Sequence, residues 1–156
     1  MKMLQKNILI ILFLFTTSCG YEVIYSKKNV INYDFSISSI NFEGDRNINL
    51  RIKQKLNNYL VNKKNKEFNL DIKTVEEKII LSKDAAGDAV NFENTINTNI
   101  KVFIGDKRLK DIKIEKNFKY ANITNKYDLA NYVREIKTNL AETIAEEIVF
   151  KLSNIQ

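Results

Sequence analysis

Two kinds of hydrophobic periodicity alternate along the chain. Four segments have apolar side chains at every second position, as expected for strands with one buried face. These segments are residues 31–42, 67–82, 96–104 and 112–120. Two others, residues 48–62 and 127–153, have apolar side chains at every third or fourth position, the spacing of amphipathic helices. The order predicts an α+β fold, β-α-β-β-β-α, in which two helices pack on one face of a four-stranded mixed sheet.

The pattern also predicts local features at the ends of these segments. The alternation slips by one residue at Ser38 and Ser39, which indicates a bulge in the first strand. Asn47 is placed to cap the first helix, and Asn125 with Asp128 resembles a capping box before the second helix. Lys116 is the exception on the apolar side of the fourth strand and indicates an edge or an open face there.

The predicted topology groups three loops at one end of the sheet. A crossover helix makes the first two strands parallel, and the following hairpins then alternate in direction. These loops are Glu43–Asn47, Ser82–Asn91 and Asn122–Tyr127, and they carry Arg46, Lys83 and Lys126. Such cations suit anionic lipid headgroups or an acidic partner, although each lysine by itself can equally be a solvated surface charge.

The N-terminus has the pattern of a signal peptide. Lys2 and Lys6 precede an unbroken apolar run at residues 8–15. Eight residues span about 12 Å as a helix, far less than the roughly 30 Å of bilayer hydrocarbon. We therefore interpret residues 1–18 as a signal peptide and not as a transmembrane helix.

Cys19 follows this segment directly, after a small residue, in a pattern that resembles a bacterial lipobox. The pattern differs from the usual one at Thr16, where Leu is commonest. Acylation of Cys19 would anchor the protein to a membrane and remove a free thiol from an oxidising compartment. The following Gly20 is not the Asp that tends to retain lipoproteins in the inner membrane, so the resemblance favours the outer membrane.

Processing would divide the chain into a signal peptide at residues 1–18, a lipidated tether at 19–30 and a single α+β domain at 31–156. The mature chain would have 138 residues, and the loss of Lys2 and Lys6 would lower its formal charge from +6 to +4. A mildly basic envelope domain is not a nucleic-acid binder, because both the compartment and the modest charge argue against it.

Composition excludes most catalytic chemistry. The chain has no His, one Cys and four Gly, so His-based triads, Cys-rich metal sites and Gly-rich phosphate loops are absent from the sequence. The carboxylate pairs Glu76-Glu77 and Glu146-Glu147 leave glycosidase-like acid chemistry formally open, but we interpret the second pair as a solvated helix face. We expect no enzyme activity, no cofactor and no metal.

Three segments together resemble one family, the lipopolysaccharide-assembly lipoproteins (LptE). They are the Cys-Gly-aromatic start at Cys19–Tyr25, the loop Asn122–Tyr127, and the Ala/Glu-rich stretch Leu140–Ile148 in the closing helix. The absence of Pro after Cys19 departs from the family pattern.

The resemblance implies a non-enzymatic plug inside a large outer-membrane β-barrel of the LptD type. It implies assistance in barrel assembly and in lipopolysaccharide delivery to the outer leaflet, with the domain facing the periplasm or the barrel lumen. By resemblance, Lys83 and Lys126 face the lipopolysaccharide phosphates, and Arg46 is a third candidate from the topology. The alternatives are an auxiliary lipoprotein of another envelope lipid-transport system and a structural envelope lipoprotein without a ligand.

Overall fold

The computed structural model describes residues 33–61 and 63–155. The predicted signal peptide at 1–18, the lipidation site Cys19 and the tether at 19–30 lie outside the described residues, and so do the first two residues of the predicted first strand.

The predicted α+β architecture and the order of its elements are confirmed. Four strands form one mixed sheet in the order β1-β2-β3-β4, with β1 parallel to β2 and the later pairs antiparallel. The elements are β1 (Phe35–Gly44), α1 (Arg46–Leu60), β2 (Lys66–Lys83), β3 (Ala89–Ile104), β4 (Lys107–Ala121) and α2 (Lys126–Ser153).

The first strand has the predicted bulge and ends against its neighbour. The register with β2 shifts between Ile37 and Ser39. At the last residue, Gly44 adopts a φ of +100°, and a Cβ placed there would lie 1.8 Å from the carbonyl oxygen of Thr74. Only glycine fits this close approach in the left-handed region. β1 therefore stops opposite Thr74, well before the end of β2.

The two helix starts bear out one capping prediction and correct the other. Asn125 caps α2, because its side chain accepts hydrogen bonds from the N–H groups of Tyr127 and Asp128. α1 is capped by Asp45 and not by Asn47, and it begins at Arg46. Asp45 is the stronger N-cap here, because its carboxylate takes up two free N–H groups of the first turn.

The hairpin between β2 and β3 is longer than the sequence pattern predicted. The sequence pattern predicts a turn over Ser82–Asn91, whereas in the structure β2 extends to Lys83 and β3 begins at Ala89, so only residues 84–88 connect them. Main-chain pairing continues into this segment although most of its side chains are exposed and none is buried. Side-chain alternation cannot report a strand that has no buried face.

The core lies between the helices and the lower part of the sheet, defined as the end where β1 begins. It joins the inner face of all four strands to α1 and to the C-terminal half of α2. α2 contributes six buried side chains, all from its second half: Ala141, Ile144, Ala145, Ile148, Val149 and Leu152. Lys116 lies on this inner face of the edge strand β4, where its ammonium forms an ion pair with Glu147.

Within the described ranges, neither helix has the combination of length and apolar character that a membrane crossing requires.

Candidate functional site

A buried polar layer crosses the sheet near the upper end of the apolar core. Thr74 and Thr98 face each other on β2 and β3, and both are 1% exposed. The hydroxyl of Thr74 donates to Oδ1 of Asn49 at 2.8 Å, and Nδ2 of Asn49 donates to the carbonyl of Glu43. Ile96, two residues above Thr98 on the same face of β3, is still fully buried, and a groove lies beyond it.

The groove lies between the sheet and the N-terminal half of α2 and has a volume of about 770 Å³. Its apolar lining comes mainly from Tyr120 on β4 and from Leu129 and Val133 on α2. The two α2 side chains are only half-buried, in contrast to the fully buried residues of the second half of the helix. The amphipathic stripe of α2 therefore has two uses, a core contact below and a groove wall above.

Five cationic side chains line the groove, against two carboxylates. The cations are Arg51, Lys78, Lys126, Arg134 and Lys137, and the carboxylates are Asp45 and Glu76. Lysine and arginine side chains bind anionic groups, and an apolar wall binds apolar groups. A groove with both is suited to a ligand that carries an anionic group and an apolar group.

Two of the cations are neutralised by carboxylates. Lys137 of α2 binds Glu76 of β2, with Nζ 2.5 Å from Oε1 and 2.7 Å from Oε2. Arg51 pairs with Glu142, which also binds Lys55 at 2.6 Å. The hydrogen bond from Lys55, followed by that from Arg51, holds the pKa of Glu142 below its ordinary value of 4.5. Glu142 therefore stays ionised and ties α1 to α2 at the edge of the groove.

The other three cations have no carboxylate partner among the described residues. Lys126 donates only to the amide oxygen of Asn122, at 3.2 Å. The ammonium of Lys78 lies over the ring of Phe92, 4.1 Å from its centroid, a contact that leaves the charge uncompensated. Arg134 is exposed and lies two helical turns after Lys126 on α2. The groove thus has an excess of positive charge on its upper side.

The structure brings two of the three sequence-predicted cations to one place. Lys83 pairs with Ala89 in the ladder, the carbonyl of Ala89 accepts from Asn122 Nδ2 at 2.9 Å, and Asn122 contacts Lys126. Of the three, only Lys126 lines the groove; Lys83 lies beyond it in the β2–β3 hairpin, and Arg46, the first residue of α1, lies beside the end of β1. The end of β1 is nine residues, or about 30 Å, before Lys83 along β2.

Sequence reasoning missed Lys78 and Arg134. Arg134 follows Lys126 at i+8, and Lys137 follows it at i+11, so helical spacing alone places all three on one side of α2. Lys78 gave no such signal, because it lies in the irregular part of β2, where the alternation of apolar residues breaks down.

No group of three Asp, Glu or Cys side chains within the described ranges comes close enough to hold a metal ion. What the groove offers is electrostatic and apolar binding, with Glu76 already engaged by Lys137 and by Nδ2 of Asn94.

Comparison with solved structures shows the same fold in three bacterial proteins. Rare lipoprotein B from Shewanella oneidensis matches with a TM-score of 0.55 and 16% identity over 74% of this chain and 97% of that chain. A minor lipoprotein from Acinetobacter baumannii matches with a TM-score of 0.53 and 10% identity, covering 78% and 91%. An uncharacterized lipoprotein B from Nitrosomonas europaea gives 0.51 and 14%, covering 78% and 86%.

Identities this low establish the fold alone. No protein-family model matches the chain, and no curated protein matches it in sequence.

Proposed function

We propose that the protein is an outer-membrane lipoprotein that binds lipopolysaccharide, assists its delivery to the outer leaflet and plugs a large β-barrel partner. Its role is to bind and position, without enzymatic chemistry. The observation that carries the proposal is the groove above the core, in which uncompensated cations stand beside an apolar wall. Phosphates on an acylated carrier are complementary to both features.

Two further observations support the proposal. The N-terminal sequence has the lipobox pattern at Cys19, and solved proteins with the same fold are named lipoproteins. The outer face of the sheet is polar, with side chains such as Asn97, Asn99 and Lys101 half-buried or exposed, which suits the water-filled lumen of a large barrel.

Binding of purified lipopolysaccharide to the full-length protein in detergent tests the ligand. Charge reversal at Lys83 and Lys126 together is expected to weaken binding by about tenfold or more, because two charge-assisted contacts are replaced by repulsion. Reversal of Lys101 and Lys113, on the outer sheet face, changes the net charge equally and is expected to leave the affinity unchanged. Equal losses of affinity in both double variants would mean that only the net charge of the protein matters. That outcome would contradict a specific binding site at Lys83 and Lys126.

The groove residues provide a second arm of the same assay. Lys78→Glu with Arg134→Glu should weaken binding as much as the loop variant if the anion enters the groove. Unchanged affinity in this variant, together with a loss in the Lys83 and Lys126 variant, would place the ligand at the loop tips only.

Affinity purification of the tagged, membrane-extracted protein from a Gram-negative host that carries its native neighbours tests the partner. A large outer-membrane β-barrel at near-equal stoichiometry is expected. Recovery of an inner-membrane transporter component would favour the auxiliary-lipoprotein alternative, and recovery of no partner would favour the structural one.

Metabolic labelling tests the anchor. Cys19→Ser should abolish incorporation of labelled palmitate, because the thioether-forming sulfur is lost. Label retained in this variant would contradict the lipobox interpretation.

A further inference from the structure

The sheet side of the groove contains a buried amide whose oxygen is unpaired. Asn94 of β3 lines the groove and is 1% exposed. Its Nδ2 donates to Oε1 of Glu76 at 2.7 Å. Its Oδ1 is buried and has no hydrogen-bond partner among the described residues. Such an acceptor is unfavourable in a folded protein, because the loss of its contact with water is not compensated. Asn94 therefore offers a hydrogen-bond acceptor to an incoming donor.

The orientation of this amide is fixed by its neighbours. An ionised carboxylate only accepts hydrogen bonds, so the NH₂ group of Asn94 has to face Glu76. Glu76 is held in turn by Lys137, whose Nζ lies 2.5 Å from the same oxygen. A rotated amide would place two acceptor oxygens against each other. Oδ1 of Asn94 therefore points away from Glu76 and needs a donor from elsewhere.

A cation and two aromatic rings lie beside this acceptor. Lys78 is directly opposite Asn94 in the β2–β3 register, a separation of about 5 Å between their Cβ atoms. Its ammonium lies 4.1 Å from the centroid of the Phe92 ring. That ring stacks on Tyr120 at 5.3 Å between centroids. The inner face of the sheet thus combines a cation, a neutral acceptor and apolar ring faces. We call Asn94 and Lys78 together the groove floor.

We propose that the groove floor binds the phosphorylated sugar of the ligand, with a sugar hydroxyl or amide N–H donating to Oδ1 of Asn94. The phosphate pairs with the ammonium of Lys78. The inference rests on the proposed function for the class of ligand, and it adds which part of that ligand enters the groove. An acyl chain on the floor would leave the acceptor unpaired. The apolar wall of Leu129 and Val133 remains for the aliphatic part.

A donor reaches the floor when one side chain moves. Oδ1 of Asn94 is enclosed, and Lys137 extends from α2 to the carboxylate beside it. The side chain of Lys137 is 29% exposed, so its ammonium is accessible to an anion in the groove. A phosphate offers this ammonium a second anionic partner. Movement of Lys137 towards the phosphate opens the way to Asn94.

Titration of the full-length protein in detergent with two phosphate monoesters tests the floor. N-acetylglucosaminyl phosphate carries hydroxyl and amide donors, whereas hexyl phosphate carries none at about pH 8, where its phosphate is fully ionised. Asn94→Leu removes the acceptor at similar volume. The dissociation constant of the sugar phosphate should rise about tenfold, because one buried hydrogen bond is lost. That of hexyl phosphate should not change.

Thr98→Val is the matched control. Thr98 lies on the same face of β3, is 1% exposed and also has an unpaired buried oxygen, but it does not line the groove. Its replacement should leave both affinities unchanged. The proposal would be overturned if Asn94→Leu changed both affinities equally or neither of them. Absence of sugar-phosphate binding at millimolar concentrations would overturn it as well.

The side-chain amide resonances of the unmodified protein give a second measurement, which remains informative if Asn94→Leu fails to fold. The sugar phosphate should shift the Asn94 amide signals, and hexyl phosphate should leave them in place. Lipopolysaccharide binding without any sugar-phosphate shift at Asn94 would overturn this inference and keep the proposed function. A shift with the sugar phosphate in a protein without affinity for lipopolysaccharide would have the opposite meaning.

Discussion

The lower and upper parts of this protein use the same sheet and the same helix in different ways. Below the Thr74–Asn49 hydrogen bond, α2 buries Ile144, Ile148 and Leu152 completely against the sheet and α1. Above it, the same helix stands over a groove, and the β2–β3 hairpin exposes aliphatic side chains on both faces. The difference shows how one continuous helix can supply both a core and a binding surface, because only half of its apolar stripe is covered.

The largest expected difference between the two parts is in the cost of replacing a glycine that has a positive φ. Gly44→Ala, at the end of β1, brings a Cβ to 1.8 Å from the Thr74 oxygen, and we expect a loss of about 4 kcal/mol in the free energy of unfolding, or no folding at all. Gly87→Ala, in the hairpin connection, has open space around the Cβ and should cost about 1–2 kcal/mol from its φ alone. Urea denaturation of both variants measures the difference, and equal losses would contradict the geometry of the β1 end.

Two leucines of α2 compare the halves of the helix directly. Leu152 is 1% exposed, so Leu152→Ala should lower the free energy of unfolding by about 3 kcal/mol through lost burial and the cavity that remains. Leu129 lines the groove and is half-buried, so Leu129→Ala should cost about 1 kcal/mol or less. Comparable losses in thermal and urea denaturation would mean that the upper half of α2 is packed as tightly as the lower half.

The ion pairs between the helices, at the edge of the groove, make the free energy of unfolding depend on pH. Lys55, and then Arg51, hold the pKa of Glu142 below 4.5, its ordinary value. The unfolded chain binds this proton more tightly than the folded protein does. The contribution is therefore fully present above pH 4.5 and is lost as the pH falls through the lowered pKa.

Glu142→Gln should accordingly flatten the acid limb of the stability profile, measured by urea denaturation between neutral and acid pH. Glu146→Gln, at an exposed position of the same helix, is the control and should leave the limb as it is. An unchanged limb in Glu142→Gln would assign the acid loss to other carboxylates.

The smallest expected effect concerns the ion pair that joins the upper half of α2 to β2. Lys137→Met breaks the ion pair with Glu76 and should lower the free energy of unfolding by no more than about 1 kcal/mol. Amide hydrogen exchange over residues 126–138 should nevertheless quicken, because this segment has few other contacts with the sheet. Lys73→Met, which removes an exposed pair with Glu43, should change neither quantity.

How far the sequence predicts the candidate site depends on the residue. Lys83 and Lys126 were placed at one end by strand direction alone, and the structure links them through Ala89 and Asn122. The loop prediction groups Arg46 with them, but α1 is capped by Asp45 and begins two residues earlier than predicted, so Arg46 belongs to the helix and lies outside the groove. Topology predicts at which end of the sheet a loop lies. It does not predict the distance between two loops at that end, because the strands that lead to them differ in length.

The sequence by itself determined the α+β class, the order of the elements, the bulge in β1 and the cap at Asn125. Each of these depends on local periodicity or on side chains a few residues apart, and such features are visible in the order of the residues. Only the tertiary structure decided that β1 stops at Gly44, that β2 and β3 continue beyond it, and that only the second half of the apolar stripe of α2 enters the core. These outcomes depend on which surfaces meet, since a close backbone approach at Thr74 and the ladder beyond it join residues that are distant along the chain.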